Sequence, residues 1–205
     1  LLSGSLSAKN FMYNKIYNLE ITPDMLALPP CSGSFVLTDI NTGKVKALVS
    51  YPGYDANQIN NVSYYASLIN NSSSPLYNRA TQQTLAPGST FKPISAIAGL
   101  EEGVIDADTY ITDYVEYTKV VPHANCWNSA GHGTINVEQA IEYSCNYFFY
   151  EVGYRLGSKN NTTELNDSTG LALLAKYAKM FGLDSVSGLE LPETTPRISD
   201  ESVVR

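Results

Sequence analysis

Two β-rich runs, residues 34–40 and 44–50, are joined by Asn41-Thr42-Gly43, and no other stretch constrains the local fold so tightly. A short Gly-containing connection between such runs predicts an antiparallel hairpin over 34–50. In the second run Val45, Ala47 and Val49 alternate with Lys44, Lys46 and Leu48. That is the period of a half-buried strand. Beyond the hairpin the dominant period becomes helical. Pro87-Gly88-Ser89 precedes a largely apolar run carrying Phe91, Ile94, Ile97, Ala98 and Leu100, which predicts a buried helix over 89–103 ending at Gly103. Asn136 is placed to cap a further helix, with Gln139 three residues on as its capping-box partner. Its apolar positions Val137, Ala140 and Ile141 continue towards Phe148, Phe149 and Val152, as far as Gly157. A last helix over 170–181 carries the stripe Leu171, Leu174, Ala175 and Ala178, with Gly182 just past its end.

The segments between these elements carry weaker signals. Residues 1–32 read as a leading segment with a weak helix at 8–19, ending at Pro29-Pro30. Residues 56–86 are polar, rich in Asn and Ser, and predict a long excursion with short helical turns. Residues 104–135 read as irregular, and 158–169 as a polar insertion. With no internal repeat and no clear linker, the chain reads as one domain, 33–205, behind the leading segment. Thirteen Lys and Arg against 20 Asp and Glu leave a net charge of −7, which argues against a nucleic-acid partner. Hydrophobic residues at 43% suffice for a core, and no stretch approaches the ~20 apolar residues of a membrane span. The chain begins at Leu1 without Met, so it reads as a processed or excised piece.

Cys31, Cys126 and Cys145 stand at wide spacings, and His123 and His132 form no short ligand pattern. This argues against zinc, and no metal or cofactor is expected. Each cysteine reads as a small buried hydrophobe, with a disulfide open only in an oxidising compartment.

Ser89-Thr90-Phe91-Lys92 places a hydroxyl at a helix start and an amine three residues later, on the same face. A serine becomes a nucleophile when a base takes its proton, and a lysine serves as that base only while neutral. The helix dipole and partial burial both push a lysine's pKa down. The competing reading makes Ser89 an N-cap and Lys92 a solvated side chain. The apolar neighbours Phe91 and Pro93 and the tight Pro87-Gly88 approach weigh towards chemistry. Ser144-Cys145-Asn146 offers a second hydroxyl and an amide, either on a continuous helix or at a local break.

Taken together, these motifs resemble one family. Arg79-Ala80 followed by Pro87-Gly88-Ser89-Thr90-Phe91-Lys92-Pro93 resembles the active-site serine motif of penicillin-binding transpeptidases. His132-Gly133-Thr134-Ile135-Asn136-Val137, with Ala140-Ile141 and Ser144-Cys145-Asn146, is similar to that family's second motif and the helix leading into it. Thr42-Gly43-Lys44 and Tyr51-Pro52 are similar to its opening strands. Asp55, Asn57 and the run Pro75-Leu76-Tyr77-Asn78-Arg79-Ala80 look most like the class B type. The resemblance covers about residues 33–195. The family's third motif, Lys-Thr-Gly or Lys-Ser-Gly on a strand, occurs nowhere in these 205 residues. The chain therefore reads as the N-terminal portion of such a domain, truncated before that strand and inactive by itself.

The resemblance implies an α+β fold of the penicillin-recognising, β-lactamase-like kind, a helical subdomain beside an antiparallel sheet. It places Ser144-Cys145-Asn146 on a turn between two helices. It implies that Ser89 is acylated by a D-Ala-D-Ala stem peptide and that Lys92 is its base. Ser144 would relay the proton, Asn146 would hold the substrate amide and Lys92, and the backbone N–H of Ser89 would supply half an oxyanion hole. A second stem peptide would take the acyl group to form a cross-link, and β-lactams would trap Ser89. The implied partners are peptidoglycan stem peptides, β-lactam antibiotics and cell-wall synthesis proteins. The implied location is the extracytoplasmic face of the bacterial membrane, with the anchor outside this chain. A serine β-lactamase and a β-lactam sensor share the Ser-x-x-Lys motif. The former also needs a deacylating base, for which Glu190 and Glu193 are the only candidates.

Overall fold

The computed structural model describes residues 7–18, 20–21, 32–158 and 167–199. The chain packs as two compact units, residues 1–83 with 190–194, and residues 84–189 with 195–205.

In the first unit, α1 (Ala8–Tyr17) starts at Ser7, whose hydroxyl accepts the Asn10 amide at 3.2 Å. Strands β1 (Gly33–Thr38) and β2 (Val45–Tyr51) pair antiparallel, with Phe35 opposite Val49 and Leu37 opposite Ala47. The connection closes because the Asp39 carboxylate accepts the amides of Asn41 and Thr42, each at 3.0 Å. The expected half-buried alternation is absent. Phe35, Val36, Leu37 and Val49 are all exposed, because no third strand pairs with the hairpin among the described residues. What packs against it is the four-residue α3 (Arg79–Gln82), fixed where the Ser50 hydroxyl accepts the Arg79 amide at 2.8 Å. The polar excursion before α3 is built of the short helical turns its sequence predicts: a 3₁₀ turn at Ala56–Gln58, and α2 (Val62–Ile69) capped by Asn61. Residues 190–194 return to α3, with the Thr194 hydroxyl donating to the Gln82 carbonyl at 2.7 Å.

The second unit is helical around one core. A 3₁₀ turn, Gly88–Phe91, runs directly into α4 (Lys92–Glu101), and Pro93 occupies the first helical turn, where a missing N–H costs nothing. Helices α5 (Val137–Glu142), α6 (Asn146–Gly157) and α7 (Asp167–Met180) complete the layer, with α6 in contact with the other three. Residues 104–135, read from sequence as irregular, contain strands of two and three residues. Strand β3 (Ile111–Asp113) pairs with β6 (Gly133–Ile135), and β4 (Glu116–Tyr117) with β5 (Ala124–Asn125). Elements this short show no detectable period. The last helix begins at Asp167, three residues before the sequence expectation.

Helices α6 and α7 meet at glycines. A Cβ on Gly170 would lie 3.0 Å from the Gly157 amide nitrogen, so any larger residue would force the two backbones apart. Phe148, Val152 and Leu156 of α6 are fully buried against Ala98, Ile105, Ile135 and Ala140. Truncating the central ring removes dispersion contacts and leaves a void that a close-packed core only partly fills. Phe148→Ala is expected to destabilise the protein by about 3–5 kcal/mol, measured by chemical denaturation. Also on α6, buried Glu151 accepts from Tyr117 Oη at 2.8 Å, Lys119 Nζ at 2.8 Å and Arg155 Nε at 2.8 Å. Burial works to raise its carboxyl, and these three donors outweigh it and hold Glu151 below the usual carboxylate range.

Candidate functional site

The site is built on the junction of α5 and α6. The capping box is formed as its sequence predicts: Asn136 Oδ1 accepts the Gln139 amide at 3.1 Å, and Gln139 Oε1 accepts the Asn136 amide at 3.2 Å. Apolar periodicity runs through 137–152, yet the helix stops at Glu142. The Ser144 amide donates to the Ile141 carbonyl at 3.1 Å, and the Cys145 amide to the Ala140 carbonyl at 2.9 Å. This pair of bonds is the Schellman arrangement, which requires a left-handed residue at the first position past the cap. Ser144 fills that position with φ +52°. A left-handed backbone costs a residue other than Gly roughly 1–2 kcal/mol, so something else must favour serine here. Cys145 then caps α6, its Sγ accepting the Phe148 amide at 3.5 Å, and Asn146 opens that helix.

Lys92 reaches this turn from the first turn of α4. Its Nζ donates to the Ser144 carbonyl at 2.5 Å, to Ser144 Oγ at 3.0 Å and to Asn146 Oδ1 at 2.7 Å. The Phe149 ring lies 5.8 Å from the ammonium. Burial lowers the Lys92 pKa below the usual lysine range, against an opposing pull from the Cys145 and Cys126 thiols. Ser89 is exposed on the 3₁₀ turn one step before α4, and its carbonyl accepts the Lys92 amide. Gly88 permits that approach with φ +58°. The structure thus brings Lys92, Ser144 and Asn146 into one hydrogen-bonded group and presents Ser89 beside it in sequence with its hydroxyl unbonded among the described residues.

Beneath the turn lies a second group that short-range spacing missed. Buried Asp113, at the end of β3, accepts through Oδ2 from the His132 amide at 3.2 Å and from the Cys145 thiol at 3.4 Å. The His132 Nδ1 stands 2.7 Å from the same oxygen. Asp113 Oδ1 accepts the Val115 amide at 2.8 Å. Burial works to raise the Asp113 carboxyl, but His132, the Val115 amide and the two thiols hold it below the usual range. Cys126 Sγ lies 3.5 Å from His132 Nδ1 and 3.9 Å from Cys145 Sγ. Burial pushes the Cys145 thiol up to about 12. One ligand-type atom from each of Asp113, Cys126, His132 and Cys145 lies within 4.8 Å of the others, a donor set chemically suited to a borderline-soft divalent metal. The expectation against zinc rested on short ligand spacings, whereas the fold brings these four groups together across 32 residues. Cys126 and Cys145 are buried, as each cysteine was expected to be, and Cys31 lies outside the described residues.

The small antiparallel sheets and the helical layer, with a Ser-x-x-Lys turn whose lysine is held by a Ser-x-Asn turn, define an α+β penicillin-recognising fold. The chain belongs to the penicillin-binding protein transpeptidase domain family, whose model matches residues 33–203. It is 35% identical over 163 residues to peptidoglycan D,D-transpeptidase MrdA of Escherichia coli, covering 77% of this chain and 24% of that relative. It is 33% identical over 190 residues to peptidoglycan D,D-transpeptidase PbpA of Mycobacterium tuberculosis, covering 85% of this chain and 34% of that relative. Among solved structures, penicillin-binding protein A of M. tuberculosis as a ceftriaxone acyl-enzyme complex is similar with a TM-score of 0.66 and 31% identity. That match covers 85% of this chain and 40% of the other. The chain therefore spans about a quarter of the length of the first of these curated relatives and about a third of the second. Among the described residues, no helix is long and apolar enough to cross a membrane.

Proposed function

We propose that this chain carries the acylation machinery of a class B peptidoglycan D,D-transpeptidase, with residues 33–205 belonging to one catalytic domain. Ser89 Oγ attacks the carbonyl carbon between the two D-Ala residues of a stem peptide while Lys92 Nζ, neutral, takes the hydroxyl proton. The tetrahedral oxyanion accepts from the Ser89 backbone N–H. Collapse breaks the C–N bond, and the terminal D-Ala leaves with a proton passed from Lys92 through Ser144 Oγ. Asn146 Oδ1 holds the lysine, leaving its amide N–H₂ for the substrate. An amine of a second stem peptide then displaces Ser89 and forms the cross-link. A β-lactam presents the same carbonyl and leaves Ser89 acylated. The observation that carries this reading is the bonding of Lys92 Nζ to both Ser144 Oγ and Asn146 Oδ1, residues more than 50 positions away.

The location proposed is the outer face of the cytoplasmic membrane, where stem peptides reside. The partners proposed are those peptides and the machinery that polymerises glycan strands. The test is the full-length protein incubated with a D-Ala-D-Ala pentapeptide donor and an amine acceptor. Release of one D-Ala per cross-linked product is expected. Rapid turnover of a chromogenic β-lactam instead, with no cross-link, would assign the site to a β-lactamase.

Ser144 allows chemistry and backbone to be separated. Ser144→Gly keeps the left-handed turn, which glycine adopts without strain, and removes only the hydroxyl beside Lys92. The thermal midpoint is expected to hold or rise, while acylation by a fluorescent penicillin falls on the order of 10²-fold, as for the loss of a positioned proton-transfer group. An acylation rate equal to wild type would remove Ser144 from the relay.

A further inference from the structure

We infer that Trp127 is a positioning residue for the acylation step, its indole N–H holding the peptide carbonyl of Ser144 in place for Lys92. The inference rests on the proposed function above and goes beyond it to a residue outside both motifs. Trp127 Nε1 donates to the Ser144 carbonyl at 3.1 Å and to the Tyr143 carbonyl at 3.3 Å. These carbonyls follow the last turn of α5, where no intrahelical donor remains. The Ser144 oxygen has two lone pairs, one directed to Lys92 Nζ at 2.5 Å and the other to the indole.

The ring itself is held from below. His132 meets it edge-on at 5.3 Å and 61°, and stacks on Tyr143 at 5.9 Å and 6°. His132 is fixed in turn by Asp113. Burial does not explain the position of Trp127, because the side chain is 65% exposed. What the position does accomplish is a clamp across the turn. Ser144 sits at φ +52°, a conformation serine leaves readily unless held. Rotation of that peptide would carry both the Ser144 carbonyl and its Oγ away from Lys92. The clamp acts on the geometry of the base and relay, and makes no claim on the noncovalent seat of the ligand.

The test replaces Trp127 in the full-length protein with 3-benzothienylalanine, which keeps the bicyclic shape and substitutes sulfur for the N–H. Acylation by a fluorescent penicillin is resolved into its first-order rate constant and its noncovalent dissociation constant. The rate constant is expected to fall about tenfold, the ~1.4 kcal/mol at the upper end of one net hydrogen bond. The dissociation constant is expected to stay within about twofold, and circular dichroism to show an unchanged fold. Trp127→Phe is expected to behave in the same way. A wild-type rate constant in the isostere overturns the inference, as does a change confined to the dissociation constant, which would make Trp127 a wall of the binding site. Failure of the wild-type protein to label overturns the proposed function, and the inference with it.

Discussion

Ser89→Ala is expected to abolish covalent labelling by penicillin, whereas the wild-type full-length protein is expected to gain a single adduct by intact mass. The expectation follows from where the hydroxyl stands. Ser89 is exposed on the 3₁₀ turn that enters α4, and its Oγ makes no hydrogen bond among the described residues. Removing it therefore takes away no structural contact. The backbone bond from the Lys92 amide to the Ser89 carbonyl is untouched. Stability should remain at the wild-type value, so loss of labelling cannot be assigned to unfolding. A nucleophile that becomes covalently bound has no substitute at alanine, and the loss should be complete rather than partial. An adduct of unchanged mass on the alanine variant would end the assignment of Ser89.

The second large effect is at Lys92. Lys92→Met is expected to lower acylation by about 10³–10⁴-fold, the upper range for a positioned general base. Three acceptors, the Ser144 carbonyl, Ser144 Oγ and Asn146 Oδ1, lose their shared donor at the same time. Lys92→Arg separates proton transfer from charge. The guanidinium restores a cation and several N–H donors but does not deprotonate in proteins. If Lys92 acts as a base, arginine rescues nothing; recovery to within tenfold of wild type would mean that positive charge is what the site needs. The direction of the pH dependence follows from burial, which lowers the Lys92 pKa. The neutral form gains population below the usual lysine range, so the acylation rate should rise with pH on a limb displaced towards neutrality. In the native protein the proton is held more weakly than in the unfolded chain. Lys92 therefore opposes folding below its native pKa, and that penalty fades as pH climbs towards the unfolded value.

Where contacts are local, the amino-acid order was enough to read the structure. The hairpin connection at Asn41-Thr42-Gly43 was legible because turn chemistry is decided within a few residues. The capping box of Asn136 and Gln139 was legible because both partners lie within one helical turn. That Ser89 stands at the entry to the helix carrying Lys92 was legible because the two lie three residues apart. Ala98 of α4 and Phe148 and Val152 of α6 are buried as their helical period predicts, whereas Leu100, read in the same apolar run as Ala98, is exposed.

The break between α5 and α6 was not legible from period, which runs unbroken through it. The Schellman bonds, and the donation by Lys92 and Trp127 to the carbonyls just past α5, favour a stop that local propensity does not signal. The hairpin's exposure was likewise invisible, since alternation reports which face a strand offers and not whether anything covers it. Asp113, Cys126, His132 and Cys145 come from β3, the loop after β5, the position just before β6 and the α6 cap. By itself, then, the sequence determined the turns, the caps, the helix faces and the Ser-x-x-Lys and Ser-x-Asn motifs, because each depends on residues within a few positions of one another. Tertiary structure alone decided that the lysine of one motif bonds the serine and asparagine of the other, and that an indole and a buried carboxylate stand behind them. Those contacts join residues tens of positions apart, and only the packing of α4 and β3 against α6 brings them within hydrogen-bond reach.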